Sequence, residues 1–170
     1  MIRIVEASKN DIETIRQVAF DTWPSTFGII LSQDQIDYML DMMYSIESLT
    51  SQMIAKKHLF LLAYSDEKCV GFISYELDYK KQAITKIHKI YVLPQTQGNG
   101  IGKLLLSDVK RIAIENNNTA LSLNVNRENP AIDFYKKLGF EIADKEDIDI
   151  GNGFLMEDYI MECDLCIGNN

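Results

Sequence analysis

Three things are scarce in this 170-residue chain: long hydrophobic runs, cysteine and positive charge. No apolar run approaches the roughly 18 residues that a bilayer-spanning helix needs, and residues 1–10 are too polar for a secretory signal. A cytoplasmic chain without a membrane partner is therefore expected. Cys69, Cys163 and Cys166 are an odd number of cysteines in a chain long enough to fold without staples, so thiols are expected rather than a disulfide framework. Cys163 and Cys166 form a C-x-x-C, but without the second ligand pair of a zinc site, and no metal is expected. Lys and Arg number 17 against 25 Asp and Glu, for a net charge of −8. That balance lacks the clustered cations that neutralise phosphates and argues against a nucleic-acid partner. It is compatible with a cationic substrate.

What is present is core-forming material. The hydrophobic fraction is 46% and the charged fraction 25%, which excludes a disordered chain and suits one domain over residues 1–170. IRIVEA (2–7) alternates like a strand, and Ser8 with Asp11 has the spacing of a capping box. Ile12, Ile15, Val18, Ala19 and Trp23 follow at helical spacing, with Pro24 as the expected stop. Ser32 and Gln35 open a second helix, and a third is expected over 46–57. From residue 58 the period changes to that of strands: HLFLLAYS, VGFISYELDY and ITKIHKIYVL read as an antiparallel meander. A helix then carries Ile101, Leu104, Leu105, Val109, Ile112 and Ala113 inward and leaves through Asn116 to Asn118. ALSLNV is a strand, Pro130 starts a helix that Gly139 stops, and GFEIA and DYIMECDL supply two last strands. No repeat or linker interrupts this order, so the expected class is α+β.

YVLPQTQGNGIGKLLL (91–106) runs from a strand through three glycines into a helix. Such a corner exposes backbone N–H groups at the positive end of a helix dipole and suits an anion, although a tight turn needing φ > 0 would use glycine equally well. Two nucleotide motifs fail here. From Gly98 to Gly102 the spacing is one residue short of a Walker A loop, and Leu104 stands where its hydroxyl belongs. Gly98 and Gly100 are followed by Lys103 rather than the third glycine of a dinucleotide fingerprint. What fits is Q-x-x-G-x-G, as Gln97-Gly98-Asn99-Gly100-Ile101-Gly102, read with YVLP before it and NPAIDFYKKLGF about 30 residues later. On these two motifs the chain resembles the GCN5-related N-acetyltransferase (GNAT) family over roughly residues 68–142.

The resemblance implies a central, mostly antiparallel twisted sheet of about seven strands with helices on both faces, and acetyl-CoA as cosubstrate. It implies that backbone N–H groups from Gln97 through Gly98, Asn99, Gly100, Ile101 and Gly102 to Lys103 cradle the pyrophosphate. Ile90, Tyr91 and Val92 would run along the pantetheine arm, with the Val92 N–H as oxyanion donor. Asn129 would contact the cofactor and Tyr135 would stand at the sulfur. Lys103, Arg127, Lys136 and Lys137 add positive charge around the motifs, with Lys137 among the cofactor contacts.

In such a reaction a neutral amine attacks the thioester. A lysine-like amine of pKa ~10.4 lies about 3.4 units above pH 7, so deprotonation costs roughly 4.6 kcal/mol. His88 stands where relatives often carry Glu and is the first candidate base; Glu76 is the second, and a water chain without a single base is equally compatible. Tyr135 is the candidate acid for the departing thiolate; the alternatives are a partly buried structural histidine for His88, a solvent-facing carboxylate for Glu76 and a core tyrosine for Tyr135. Trp23, Phe27, Met39, Met42, Met43, Tyr44, Phe154 and Tyr159 are available to an acceptor site, and Asp158 is read as a solvated turn acid with some capacity to attract a cation. The segments ILSQDQIDYMLDMMYS and NGFLMEDYIMECDL resemble the polyamine acetyltransferase branch, so a small primary amine is the favoured acceptor. A peptide amine and a non-catalytic acyl-CoA sensor are the alternatives, and a homodimer is compatible with the resemblance although no surface is marked for it.

Overall fold

A computed structural model describing residues 1–165 resolves these local signals into hydrogen bonds. Strand β1 (Ile2–Glu6) leads to Ser8, whose hydroxyl accepts from the Asn10 N–H while the Asp11 carboxylate accepts from the Ser8 N–H at 2.8 Å. This capping box starts a short 3-10 turn that continues as α1 (Ile12–Phe27). Ser32 and Ser45 cap α2 (Gln33–Tyr44) and α3 (Ile46–Ile54) in the same way, each accepting a backbone N–H from three residues on. The rest follows as β2 (Leu59–Ser65), β3 (Lys68–Glu76), β4 (Ile84–Val92), α4 (Ile101–Glu115), β5 (Ala120–Asn126), α5 (Ala131–Lys137), β6 (Glu141–Gly151) and β7 (Phe154–Asp164).

The seven strands form one mixed sheet in the order β1-β2-β3-β4-β5-β7-β6. β1 with β2, β2 with β3, β5 with β7 and β6 with β7 are antiparallel, whereas β4 and β5, joined through α4, are parallel. The parallel register runs from Ile84 opposite Ala120 to Ile87 opposite Leu123, and β4 continues to Val92.

Three expectations change. Pro24 lies inside α1 rather than ending it: Gly28 N–H donates to the Pro24 carbonyl at 2.9 Å, and Trp23 and Phe27, both buried, anchor the turn on either side. Tertiary burial outweighs the one helical bond that proline removes. Leu104 belongs to the exposed face of α4, and the inner stripe is Ile101, Leu105, Leu106, Val109 and Ala113. The last two strands are 11 residues each and meet at a turn where Asn152 and Gly153 have positive φ. Strand β6 is almost wholly exposed, so its charged run DKEDID, which lacks a buried face, is a strand by virtue of pairing with β7.

The chain contacts divide into two compact units. The first comprises Met1–Glu76 with Lys89–Val109, the second Leu77–His88 with the chain from Lys110 onward. The first holds an aromatic cluster in which Trp23 lies 4.5 Å from Phe27, 6.0 Å from Tyr44 and 5.9 Å from Tyr91, ring centre to ring centre, with Phe72 5.9 Å from Tyr91. Gly71 is required where β3 passes the end of β4, since a Cβ there would lie 2.9 Å from the Tyr91 carbonyl oxygen and 3.3 Å from the Val92 side chain. The second unit is tied by Asn118, buried after α4, which accepts from Thr85 Oγ1 at 2.7 Å and donates to Asp78 at 2.8 Å.

Lys89 is buried in the first unit. Its ammonium donates to Gln52 Oε1 at 2.6 Å and lies over the rings of Tyr44 (5.8 Å) and Phe60 (5.9 Å). Burial, and then the nearby Lys56 charge, bring its pKa down to about 7.

Two outcomes follow for stability. Gly71→Ala forces its methyl against a backbone oxygen and is expected to destabilise the fold by about 1–3 kcal/mol, read as a lowered denaturant midpoint; an unchanged midpoint would show that β3 moves aside at no cost. For Lys89 the unfolded chain holds the proton up to pH ~10.4 while the folded chain releases it near 7, so between these values the unfolded state binds more protons and stability rises with pH, by up to about 1.4 kcal/mol per unit. Lys89→Met should flatten that rise between pH 7.5 and 9.5 in urea titrations, and an identical slope in both proteins would refute the buried amine.

Candidate active site

The glycine corner lies in the first unit. β4 ends at Val92, buried Leu93 donates its N–H to the Val70 carbonyl at 2.8 Å, and the Thr96 hydroxyl closes the turn 94–96 on the Leu93 carbonyl at 2.9 Å. The Gln97 side chain donates to the Val92 carbonyl at 3.2 Å, which ties the strand end to the loop. Gly98 (φ +89°) and Gly100 (φ +76°) adopt conformations that side-chain-bearing residues rarely take. A Cβ on either would meet nothing within 4 Å, so the backbone there is open to the outside rather than packed under another element. Ile101 is buried and fixes the start of α4, where the Leu104 N–H donates to Gly100 at 3.0 Å. The amides of Ile101, Gly102 and Lys103 precede that bond, in the turn whose N–H groups have no acceptor within a helix. Gly102 is itself helical, and Asn99 and Lys103 are exposed. The corner thus presents backbone donors, one lysine and the positive end of a 15-residue helix.

The second motif lies in the second unit. Asn129 accepts from the Ala131 N–H at 2.9 Å through its amide oxygen, so the amide NH2 is the end left to donate outward. Pro130, with φ −64°, precedes α5, and Gly139 with φ +99° follows it. Tyr135 is buried between Phe134 (5.4 Å) and Phe140 (5.7 Å). Burial raises its phenol pKa well above the ordinary value, which keeps the proton on. Lys136 and Lys137 are exposed, whereas Arg127 is engaged elsewhere: it pairs with Asp147 and donates to the Asp158 carbonyl at 3.1 Å. The positive charge expected around the motifs is therefore carried by the three lysines.

His88 is half-buried on β4, its ring 5.9 Å from that of Tyr79. Glu76 is not a solvated acid. It faces His58 Nε2 at 3.4 Å, and the two side chains are 26% and 11% exposed. Nothing in the local sequence marks His58, because the pair forms only when His58, one residue before β2, comes beside the last residue of β3. Of the apolar residues considered for the acceptor, Trp23, Phe27, Met39 and Tyr44 are core; Met42 is exposed, and Met43, Phe154 and Tyr159 are half-buried. Asp158 is not in a turn but on β7, 6% exposed, and is discussed below. Cys69 and Cys163 are free thiols, and Cys166 lies outside the described residues.

These placements can be set against known proteins. A model of the acetyltransferase (GNAT) domain matches residues 30–163. The chain is 30% identical over 161 residues to a spermidine N(1)-acetyltransferase of Thermoplasma acidophilum, covering 92% of this chain and 96% of that one. It is 27% identical over 105 residues to the peptidyl-lysine N-acetyltransferase YjaB of Salmonella typhimurium, covering 61% and 64%. Its fold superimposes on the crystal structure of the PaiA N-acetyltransferase of T. acidophilum in complex with coenzyme A with a TM-score of 0.82, at 29% identity and 96% and 99% coverage. With the strand order, the open glycine corner and the second motif in place, the chain belongs to the GNAT family and is an acetyl-CoA-dependent N-acetyltransferase.

Proposed function

We propose that the acceptor is a small primary amine of the polyamine class. The observation that carries this reading is the similarity to a spermidine acetyltransferase along nearly the whole of both chains. The net charge of −8 points the same way, since an acidic protein concentrates polycations near its surface. The peptidyl-lysine relative matches a shorter stretch and makes transfer to a lysine side chain the second reading.

In this proposal the N–H groups from Gln97 to Lys103 hold the pyrophosphate of acetyl-CoA, with the Lys103 ammonium adding charge. The open space over Gly98 and Gly100 supports the assignment, because phosphate oxygens need close access to backbone. Ile90, Tyr91 and Val92 pair through their backbone with the amides of the pantetheine arm, a strand-like recognition indifferent to side chains. The Asn129 amide NH2 and Lys137 supply further contacts to the cofactor. The acceptor nitrogen, having lost a proton to His88, to Glu76 or to water, attacks the thioester carbon. The developing oxyanion is met by the Val92 N–H, the nitrogen gives up its surplus proton to the same base or to water, the C–S bond breaks, the thiolate takes the Tyr135 proton, and solvent returns a proton to the phenolate.

Burial of Tyr135 has two opposed effects on that last step. It keeps the phenol protonated, and it weakens the phenol as an acid. A thiolate formed in the same dry surroundings is destabilised for the same reason, which narrows the gap between the two groups as the C–S bond breaks.

The test follows thiol release from acetyl-CoA against spermidine, spermine, amino acids, aminoglycosides and lysine peptides. Release with polyamines is expected; release only with peptides would overturn the proposal in favour of the second reading, and cofactor binding without release would make the protein a sensor. Tyr135→Phe should lower turnover roughly 10- to 1,000-fold with little change in acetyl-CoA affinity, and unchanged turnover would remove Tyr135 from the chemistry.

A further inference from the structure

Strands β6 and β7 place like charges opposite each other three times: Glu141 with Glu162, Glu146 with Asp158, and Asp147 with Glu157. Direct cross-strand pairs of this kind disfavour a sheet. For Asp147 the cost is offset by the Arg127 guanidinium. Neither carboxylate of the Glu146–Asp158 pair is in a salt bridge among the described residues, although the charges of Lys86 and Arg127 act on Asp158 from further off. A single nitrogen, Asn124 Nδ2, bridges the two acids, donating to Glu146 Oε1 at 2.8 Å and to Asp158 Oδ2 at 3.3 Å. The other Asp158 oxygen, Oδ1, is buried and has no hydrogen-bond partner among the described residues, on a residue that is only 6% exposed. Arg127 reaches the Asp158 backbone carbonyl rather than its carboxylate.

A second cation beside this cluster is Lys86, whose ammonium donates to the Asn124 amide oxygen. It also lies 5.5 Å from the Tyr79 ring centre. Glu146, Asp158 and Glu162 act on Lys86 electrostatically, with the Lys80 charge opposing them. Burial, and then the Glu146 charge, raise the Asp158 carboxyl pKa, while the Asn124 hydrogen bond and the charges of Lys86 and Arg127 oppose the shift. A buried oxygen without a donor among the described residues, on a side chain opposite an exposed Glu146, is a place that a ligand N–H can satisfy.

We propose that Glu146 and Asp158, held together by Asn124, form the subsite for the distal ammonium of the acceptor amine, and so select amines carrying a second positive charge. Glu146 meets the ammonium at the surface and Asp158 Oδ1 takes one of its N–H groups once the Glu146 side chain rotates outward. The place in the sheet suits this role: Asp158 is opposite Asn126, three residues before Asn129 of the second motif. The inference rests on the small-amine reading and adds the element that would tell a polyamine from a monoamine.

The experiment compares spermidine with n-butylamine as acceptors for the wild type, Glu146→Gln, Asp158→Asn and, as a charge control on the same hairpin, Glu157→Gln. Calorimetric titration of spermidine into each protein loaded with CoA runs alongside. Glu146→Gln and Asp158→Asn should raise the KM for spermidine about 5- to 10-fold or more with kcat little changed, leave the kinetics of butylamine as they were, and weaken spermidine binding by a similar factor. Glu157→Gln should change neither. Glu146 is exposed, so its variant keeps the test valid even if Asp158→Asn does not fold. Unchanged spermidine KM and affinity in Glu146→Gln, or an equal loss for both amines, would overturn the subsite, as would the absence of spermidine binding to the wild type. Spermidine binding that depends on Glu146, without acetyl transfer to either amine, would sustain the subsite and overturn the small-amine reaction instead.

Discussion

The parallel ladder between β4 and β5 extends from Ile84 to Ile87 on one side and from Ala120 to Leu123 on the other, while β4 itself runs on for five more residues. A backbone amide removed from water needs a partner. The residues beyond the ladder, His88 to Val92, include each β4 position assigned above to the donor or to proton transfer. That coincidence makes the end of the ladder the constraint on which the proposed chemistry depends: a longer ladder would consume the backbone groups that an extended amide arm has to use. The glycine corner depends on the same strand, because the Gln97 side chain is fastened to the carbonyl of Val92.

Strand β4 also carries two buried amines that are handled differently. Lys86 is desolvated but answered by the charges of Glu146, Asp158 and Glu162. Lys89 has an amide oxygen and two ring faces, and the charge that acts on it is that of another lysine, Lys56. The first arrangement holds a charge in place, and the second is compatible with a neutral amine near physiological pH. A buried polar group that the fold tolerates at such cost argues that the strand's position is set by more than packing, since Met or Leu would fill the Lys89 site without loss of volume.

The sequence made the order of elements legible because its signals are local. Ser8 and Asp11, Ser32 and Gln35, Gly98 and Gly100, and Pro130 with Gly139 each act within a few residues, through caps and φ values that belong to the residue type. Signals failed where burial overrode them. Pro24 reads as a stop, yet Trp23 and Phe27 hold the helix on through it. Leu104 has the spacing of a core position and faces outward. The charged run of β6 has no strand-like hydrophobic pattern, and it extends because β7 supplies its hydrogen bonds.

The same distinction explains why donor and acceptor differ in legibility. Acetyl-CoA offers phosphates and amides, and a protein meets these with backbone, so recognition leaves glycines at fixed spacing that a single segment displays. An amine without a large scaffold offers charge alone, and charge is met by side chains gathered from several strands. Asn124 lies 22 residues from Glu146 and 34 from Asp158 in sequence, and 38 from Lys86, and register alone brings the four together. Taken singly, Asp158 reads as a solvated acid, because burial, the opposing Glu146 and the unpaired oxygen are properties of the paired strands rather than of residue 158. With the proposed acidic subsite on β6 and β7, acceptor specificity is free to change there while the glycine corner stays as it is.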